Sequence, residues 1–193
     1  MRAGSRAVLV MLAALAAHVS SAETAATPPA WPRTSQQLET LAARIPPSPG
    51  LTRVAVPAGS FAEWLRALPL RSAGSKVHLF DGRERPSQAP VRAVVDIDVG
   101  SHDLQQCADA IIRLRAEYLW AQGWADRVAF RFTDGTRARW FDWREGWRPV
   151  EAGGHISWHH PAAPDSSYSS FREYLNSVFT YAGSRSLERQ LSP

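Results

Sequence analysis

Val91 to Leu119 is the stretch that most constrains the fold of this chain, because two hydrophobic periods meet in it. From Val91 to Val99 apolar residues alternate, with Val91, Ala93, Val95, Ile97 and Val99 on one face and Val94, Asp96 and Asp98 on the other. A period of two predicts a strand, and residues two apart on one face lie about 6.5–7 Å apart. Gly100 ends the alternation. Asp103-Leu-Gln-Gln106 then reads as a capping box that opens a helix. At 100° per residue, Leu104, Ala108, Ile111, Tyr118 and Leu119 fall on one side of that helix and Gln106, Asp109, Arg113 and Glu117 on the other. Asp109–Arg113 and Arg113–Glu117 are i,i+4 pairs, which predicts a solvated ladder. Arg115 projects from the apolar side, where an unpaired guanidinium costs several kcal/mol. Asp96 and Asp98 are its nearest acidic partners along the chain. A strand turning directly into a helix is also where open α/β layers place ligands. Asp96, Asp98 and Arg115 are therefore the leading candidate site, with Gln106 as a polar positioner.

Met1 to Arg6 is basic, Ala7 to Val19 is apolar but short for a bilayer span, and Ser20-Ser-Ala22 ends in small residues. That pattern predicts a signal peptide cleaved after Ala22, and hence a periplasmic or secreted protein with no membrane span after cleavage. The mature chain of about 170 residues is long enough to bury a full core. The formal charge of +4 includes Arg2 and Arg6, so cleavage leaves +2, which is not the balance of a nucleic-acid binder. Small molecules and cell-wall components are the partners expected of such a protein.

Residues 23–33, rich in Ala, Thr and Pro, are expected to form a flexible leader, and 34–193 a single domain. Thr34-Ser-Gln-Gln37 and Ser60-Phe-Ala-Glu63 are capping-box patterns that open helices over Leu38–Ile45 and up to Leu68. Short strands are expected at 53–56, 76–80 and 155–158. Val128–Phe132 and Arg137–Phe141 flank Asp134-Gly135, a strong hairpin signal. A two-residue turn would set Phe132 against Arg137 and Phe130 against Arg139. Phe171, Leu175, Val178 and Phe179 predict a last amphipathic helix, capped from Ser170 and stopped near Gly183. Short strands mixed with three to four helices, without a βα repeat, predict an α+β domain whose sheet is mainly antiparallel or mixed.

Cys107 is the single cysteine, so it has no intramolecular disulfide partner. It stands in the first turn of the central helix, where the dipole favours a thiolate, but at the edge of the apolar face, where a buried thiol is expected. With His155 and Asp165 it follows the order of nucleophile, base and acid in transglutaminase-like and papain-like hydrolases and transpeptidases, which act on peptide amides. His155, His159, His160 and Cys107 are ligand types for zinc, but no zinc motif holds them. Gly74-Ser75 upstream of Asp-x-Asp has the residues of a nucleotidyltransferase pattern, but it precedes a strand instead of opening a helix. No cofactor is assigned, and a non-catalytic binding module is the remaining alternative.

Ser60 to Leu70, Gly74 to Gly82, Val94 to Leu119, Phe130 to Gly135, and Phe171 to Leu175 through Tyr181-Ala-Gly183 together resemble a family of exported bacterial proteins known only as a domain of unknown function. The resemblance runs from about Ile45 to the end of the chain. It implies no particular activity. The family pattern contains the elements that are here Asp96 and Asp98, Gln105 to Asp109, and Arg113 to Glu117. It does not require histidine at His155, His159 or His160, which weighs against a Cys–His–Asp triad.

Overall fold

The computed structural model describes residues 27–33 and 39–191. The expected signal peptide and the Thr34–Gln37 capping box lie outside them. In chain order the described residues form α1 (Leu41–Arg44), α2 (Phe61–Arg66), α3 (Cys107–Ala121), a 3₁₀ turn (Ala125–Arg127), β1 (Ala129–Arg131), β2 (Arg137–Arg139), α4 (Trp140–Arg144), β3 (Arg148–Ala152), β4 (His155–His159), α5 (Tyr168–Tyr181) and α6 (Ser184–Leu191). Two antiparallel hairpins, β1–β2 and β3–β4, are the sheets. The architecture is α+β in one domain, with six helices among the described residues because several are only one or two turns long.

The expected strand at 91–99 does not form. The segment is extended, but it meets a neighbour at one bridge only, Leu70 opposite Val95. Arg71 N–H donates to Val94 O, and Asp96 N–H donates to Pro69 O, each at 2.8 Å. Alternation makes a strand only where a partner runs alongside, and Pro69 and Pro90 leave little backbone to pair. The stretches 53–56 and 76–80 likewise form no strand, and the second keeps a single bridge, His78 to Glu84.

α3 is the central element. It begins at Cys107, three residues after the expected start, with Gln106 as N-cap and Asp109 accepting from the Gln106 N–H at 2.9 Å. Gln105, just before it, holds the left-handed conformation with φ +70°, which is uncommon for a residue with a Cβ. Ala108, Ile112, Ala116 and Leu119 face the core, as the helical period requires. The expected polar ladder is not solvated, however. Asp109, Arg113 and Glu117 are buried, while Ile111 is half exposed. The helix is covered on both sides, so its polar stripe faces protein.

One aromatic layer joins α3 to the C-terminal half. Trp120 stacks on Phe171 with centroids 4.4 Å apart, and Trp140 packs edge-on to Phe171 and Tyr174. A second layer holds the N-terminal segment. Trp31, within the stretch expected as a flexible leader, is buried edge-on to Trp64, and its indole donates to Asp96 O at 2.6 Å. α5 starts three residues earlier than expected, from Ser167, whose hydroxyl accepts from the Ser170 N–H. Its expected core face of Phe171, Leu175, Val178 and Phe179 is buried.

The first hairpin forms with a different register. Arg131 opposes Arg137 and Phe130 opposes Ala138, across a loop closed by Phe132 N–H to Thr136 O. Phe130, Phe132 and Ala138 point into the core, and Arg137 and Arg139 point out. The arginine-on-phenylalanine ladder across the strands is therefore absent. Trp140 and Phe141, expected to continue the second strand, open α4 instead.

Candidate functional site

Asp98 leaves the 91–100 segment beside α3 and α5, and two guanidinium groups converge on it. Arg113 Nη2 donates to Oδ1 at 3.0 Å, and Arg172 Nη2 donates to Oδ2 at 3.1 Å. Behind it, Arg113 is fully buried, with Nε donating to Glu117 Oε1 at 2.6 Å and Nη1 to the Gln105 side-chain oxygen at 2.9 Å. Tyr168 on α5 donates its hydroxyl to the same Glu117 Oε1 at 2.7 Å. The Arg113 guanidinium lies 5.8 Å from the centroid of Trp31. Six side chains from three parts of the chain thus form one network. The left-handed turn at Gln105 aims its amide at Arg113. At Gly100, φ +77°, a Cβ would stand 3.8 Å from Arg172 Nη2.

The network is closed at one end and open at the other. Arg113 and Glu117 are inaccessible to solvent, whereas the Asp98 side chain is 41 % exposed. Glu117 Oε2 and Arg172 Nη1 are buried and hydrogen-bond to no protein atom. Leaving such atoms without a partner costs about 1–3 kcal/mol each. Burial pushes the Asp98 carboxyl up, but Arg113 and Arg172 outweigh it and hold the group below the usual carboxylate value. Burial dominates at Glu117 and raises its carboxyl above the ordinary value, against the pull of Arg113 and the Tyr168 hydroxyl. Arg113 itself stays charged, because Glu117 and Asp98 together outweigh its desolvation. At Arg172, burial and the like charge of Arg113 lower the pKa, with Asp98 opposing. Burial and the neighbouring Glu117 keep the Tyr168 phenol protonated.

The other residues singled out in the sequence fall elsewhere. Asp96 is buried and its Oδ1 lies 3.5 Å from Arg71 Nε, while its backbone oxygen accepts from Trp31. Arg115 reaches neither aspartate. It is exposed, stacked 5.4 Å from the ring centroids of both Phe61 and Tyr118, which resolves its place on an apolar face by a cation–π contact. Cys107 is exposed, not core. It lines a cleft of about 380 Å³ with Leu104, Asp109 and Phe179, and no histidine lines that cleft. His155 stands at the start of β4, and Asp165 accepts from the Ser167 N–H at the start of α5. Cys107 thus begins α3, His155 begins β4, and Asp165 precedes α5, where it accepts from a backbone N–H. His159 touches Ser157 and His160 touches Glu145 O. Among the described residues, no group of three or more His, Cys, Asp or Glu side chains is placed to hold a metal ion. Nor is any helix there long and apolar enough to cross a membrane.

On sequence alone Arg113 and Glu117 fall on a solvated ladder and in the family pattern instead of in the site, and Tyr168 and Arg172 are not singled out. Their signal was spacing. Arg113/Glu117 and Tyr168/Arg172 are each four apart, so each pair shares a helix face, and the two faces meet.

Fold and site together define an α+β domain organised around a buried guanidinium–carboxylate network. A profile for the family described as Domain of unknown function (4846) matches residues 41–193, and the chain belongs to that family. No curated protein and no solved structure matches the chain.

Proposed function

We propose that this is an exported, envelope-associated protein that recognises a small polar ligand, such as a soluble cell-wall fragment, at the Asp98–Arg172 end of the network. One observation carries the reading. The three sequence elements that mark the family resemblance, at 96–98, 105–109 and 113–117, each place a side chain in a single bonded group: Asp98, Gln105, and Arg113 with Glu117. A solvent-accessible carboxylate beside the Arg172 guanidinium, whose buried Nη1 hydrogen-bonds to no protein atom, is a donor-and-acceptor pair suited to a hydroxylated or zwitterionic molecule. Export follows from the leader-like pattern of residues 1–22. Thiol hydrolysis at Cys107 has weaker support, because no histidine lines its cleft to serve as the base of such a triad.

The test is binding of purified muropeptides, followed by calorimetry, to the wild type and to Asp98→Asn. That substitution removes the accessible charge while Arg113 keeps Glu117. The expected result is a loss in affinity of about tenfold or more with a fold that still melts cooperatively. No binding by the wild type, or equal binding by the variant, would refute the proposal.

A further inference from the structure

A second site lies away from that network, in the part of the chain that carries the excess positive charge. Residues 39–96 hold eight Lys and Arg against five Asp and Glu, whereas 97–191 hold eleven against twelve. Within the first part, Arg44, Ser72, Ser75, Lys76, Gln88 and Arg92 line a cavity of about 250 Å³ with no acidic side chain in its wall.

The donors of this cavity are held in place. Arg44 spends Nε on Glu39 at 2.8 Å and Nη1 on Arg71 O at 2.6 Å, which fixes the plane of the guanidinium and leaves Nη2 uncommitted. Lys76 pairs with Glu84, and neither Glu39 nor Glu84 lines the cavity. Arg92 has no acidic partner among the described residues. The turn at Ser72–Ser75, closed by Ser75 N–H to Ser72 O at 3.1 Å, brings two hydroxyls to the same wall. Gln88 fixes the opposite loop through both Val77 backbone groups and Arg85 O. Gly74-Ser-Lys76 therefore has a place in the fold that nucleotide chemistry does not explain.

We propose that this cavity binds a phosphoryl group. Glu39 and Glu84 already offset Arg44 and Lys76, so the excess charge at the wall is that of Arg92; with the uncommitted Arg44 Nη2, the Lys76 ammonium and the two serines, the wall still holds more donors than the two oxygens of a carboxylate can use. A phosphate offers more terminal oxygens and up to two charges, and arginine matches its geometry. The cavity of about 250 Å³ is larger than a bare phosphoryl group, so it leaves room for the first atoms of the molecule that carries it. Either a free phosphate or a phospholipid headgroup supplies this chemistry.

Calorimetry on the purified protein at constant ionic strength tests the assignment with three probes: inorganic phosphate, acetate, and vesicles of phosphatidylglycerol in phosphatidylcholine. Saturable binding of phosphate, with Kd of roughly millimolar, identifies a soluble source, and binding to the anionic vesicles alone identifies a headgroup. In either arm Arg92→Gln is expected to weaken binding about tenfold and to steepen no salt dependence, whereas Arg137→Gln, on the remote first hairpin, leaves it unchanged. Absence of binding in both arms overturns the proposal. So does binding of acetate as tight as that of phosphate, or binding that Arg92→Gln leaves intact while its melting curve matches the wild type.

Discussion

Replacing Arg113 with methionine is the perturbation that the buried network makes most consequential. The side chain is fully buried, and its shortest hydrogen bonds go to Glu117 Oε1 at 2.6 Å, the Gln105 oxygen at 2.9 Å and Asp98 Oδ1 at 3.0 Å. Methionine of similar length keeps much of the packing and donates nothing. Glu117 then stays buried with Tyr168 as its only hydrogen-bond donor. Removing one partner of a buried pair costs about 3–5 kcal/mol, or about 6–20 °C in Tm for a domain of this size at roughly 2–4 °C per kcal/mol. The pH dependence separates this cost from a packing defect. The carboxyl of Glu117 is already raised by burial and rises further without Arg113. A group whose folded pKa is raised contributes its stability below its unfolded value and loses it as pH climbs through the folded one. The deficit of Arg113→Met is therefore largest at neutral pH and shrinks as pH falls through the raised folded pKa of Glu117 toward the ordinary glutamate value, below which the group is protonated in both states. Arg113→Met/Glu117→Leu removes both charges and is expected to recover most of the loss at pH 7. Thermal melts followed by circular dichroism at pH 5 and pH 7 measure all three chains. A single variant that melts within about 2 °C of the wild type would refute the reasoning, as would a double variant no better than the single.

Three further outcomes follow from individual residues. Asp98, held below the usual carboxylate value, contributes stability that is present above about pH 4 and lost as pH falls through its folded pKa; in an acid titration Asp98→Asn should lack that limb. Cys107 is exposed, so iodoacetamide should modify it in the folded protein with no change in Tm, and protection until denaturation would place it in the core after all. Gly146 has φ +102°, and a Cβ there would lie 2.1 Å from Ala162 O; Gly146→Ala should cost about 3 kcal/mol or more in chemical denaturation.

Elements whose signals are local were legible in the chain. Ser60 caps α2 through the Glu63 N–H, Asp134-Gly135 turns the first hairpin, and the apolar positions of α5 are its buried ones. The α+β class follows from the same signals. The candidate site was legible only in part. The alternation puts Asp98 on one face with Asp96 just before Gly100, and Asp98 stands in the network. Its partner was sought at Arg115, because amphipathic reasoning assumes that a polar stripe faces water and an arginine on an apolar face needs an acid. Here the stripe itself is buried, since α5 presents Tyr168 and Arg172 to it. Arg115 is satisfied instead by the rings of Phe61 and Tyr118. Cys107 became exposed for a related reason: with the helix turned so that Asp109 and Arg113 face inward, its first residue faces out. The strand at 91–99 failed because alternation describes one segment and a sheet needs two. Trp31 carries no periodicity at all, and only its tertiary partners, Trp64 and Asp96 O, reveal its role.

Titration of the side-chain carboxyl carbons by ¹³C NMR tests the buried network most directly. One glutamate resonance is expected to titrate above the ordinary glutamate value and to vanish in Glu117→Gln, while one aspartate, absent in Asp98→Asn, titrates below the ordinary aspartate value. If both groups titrate at their ordinary values, Arg113 and Glu117 are solvated and the network does not exist in solution.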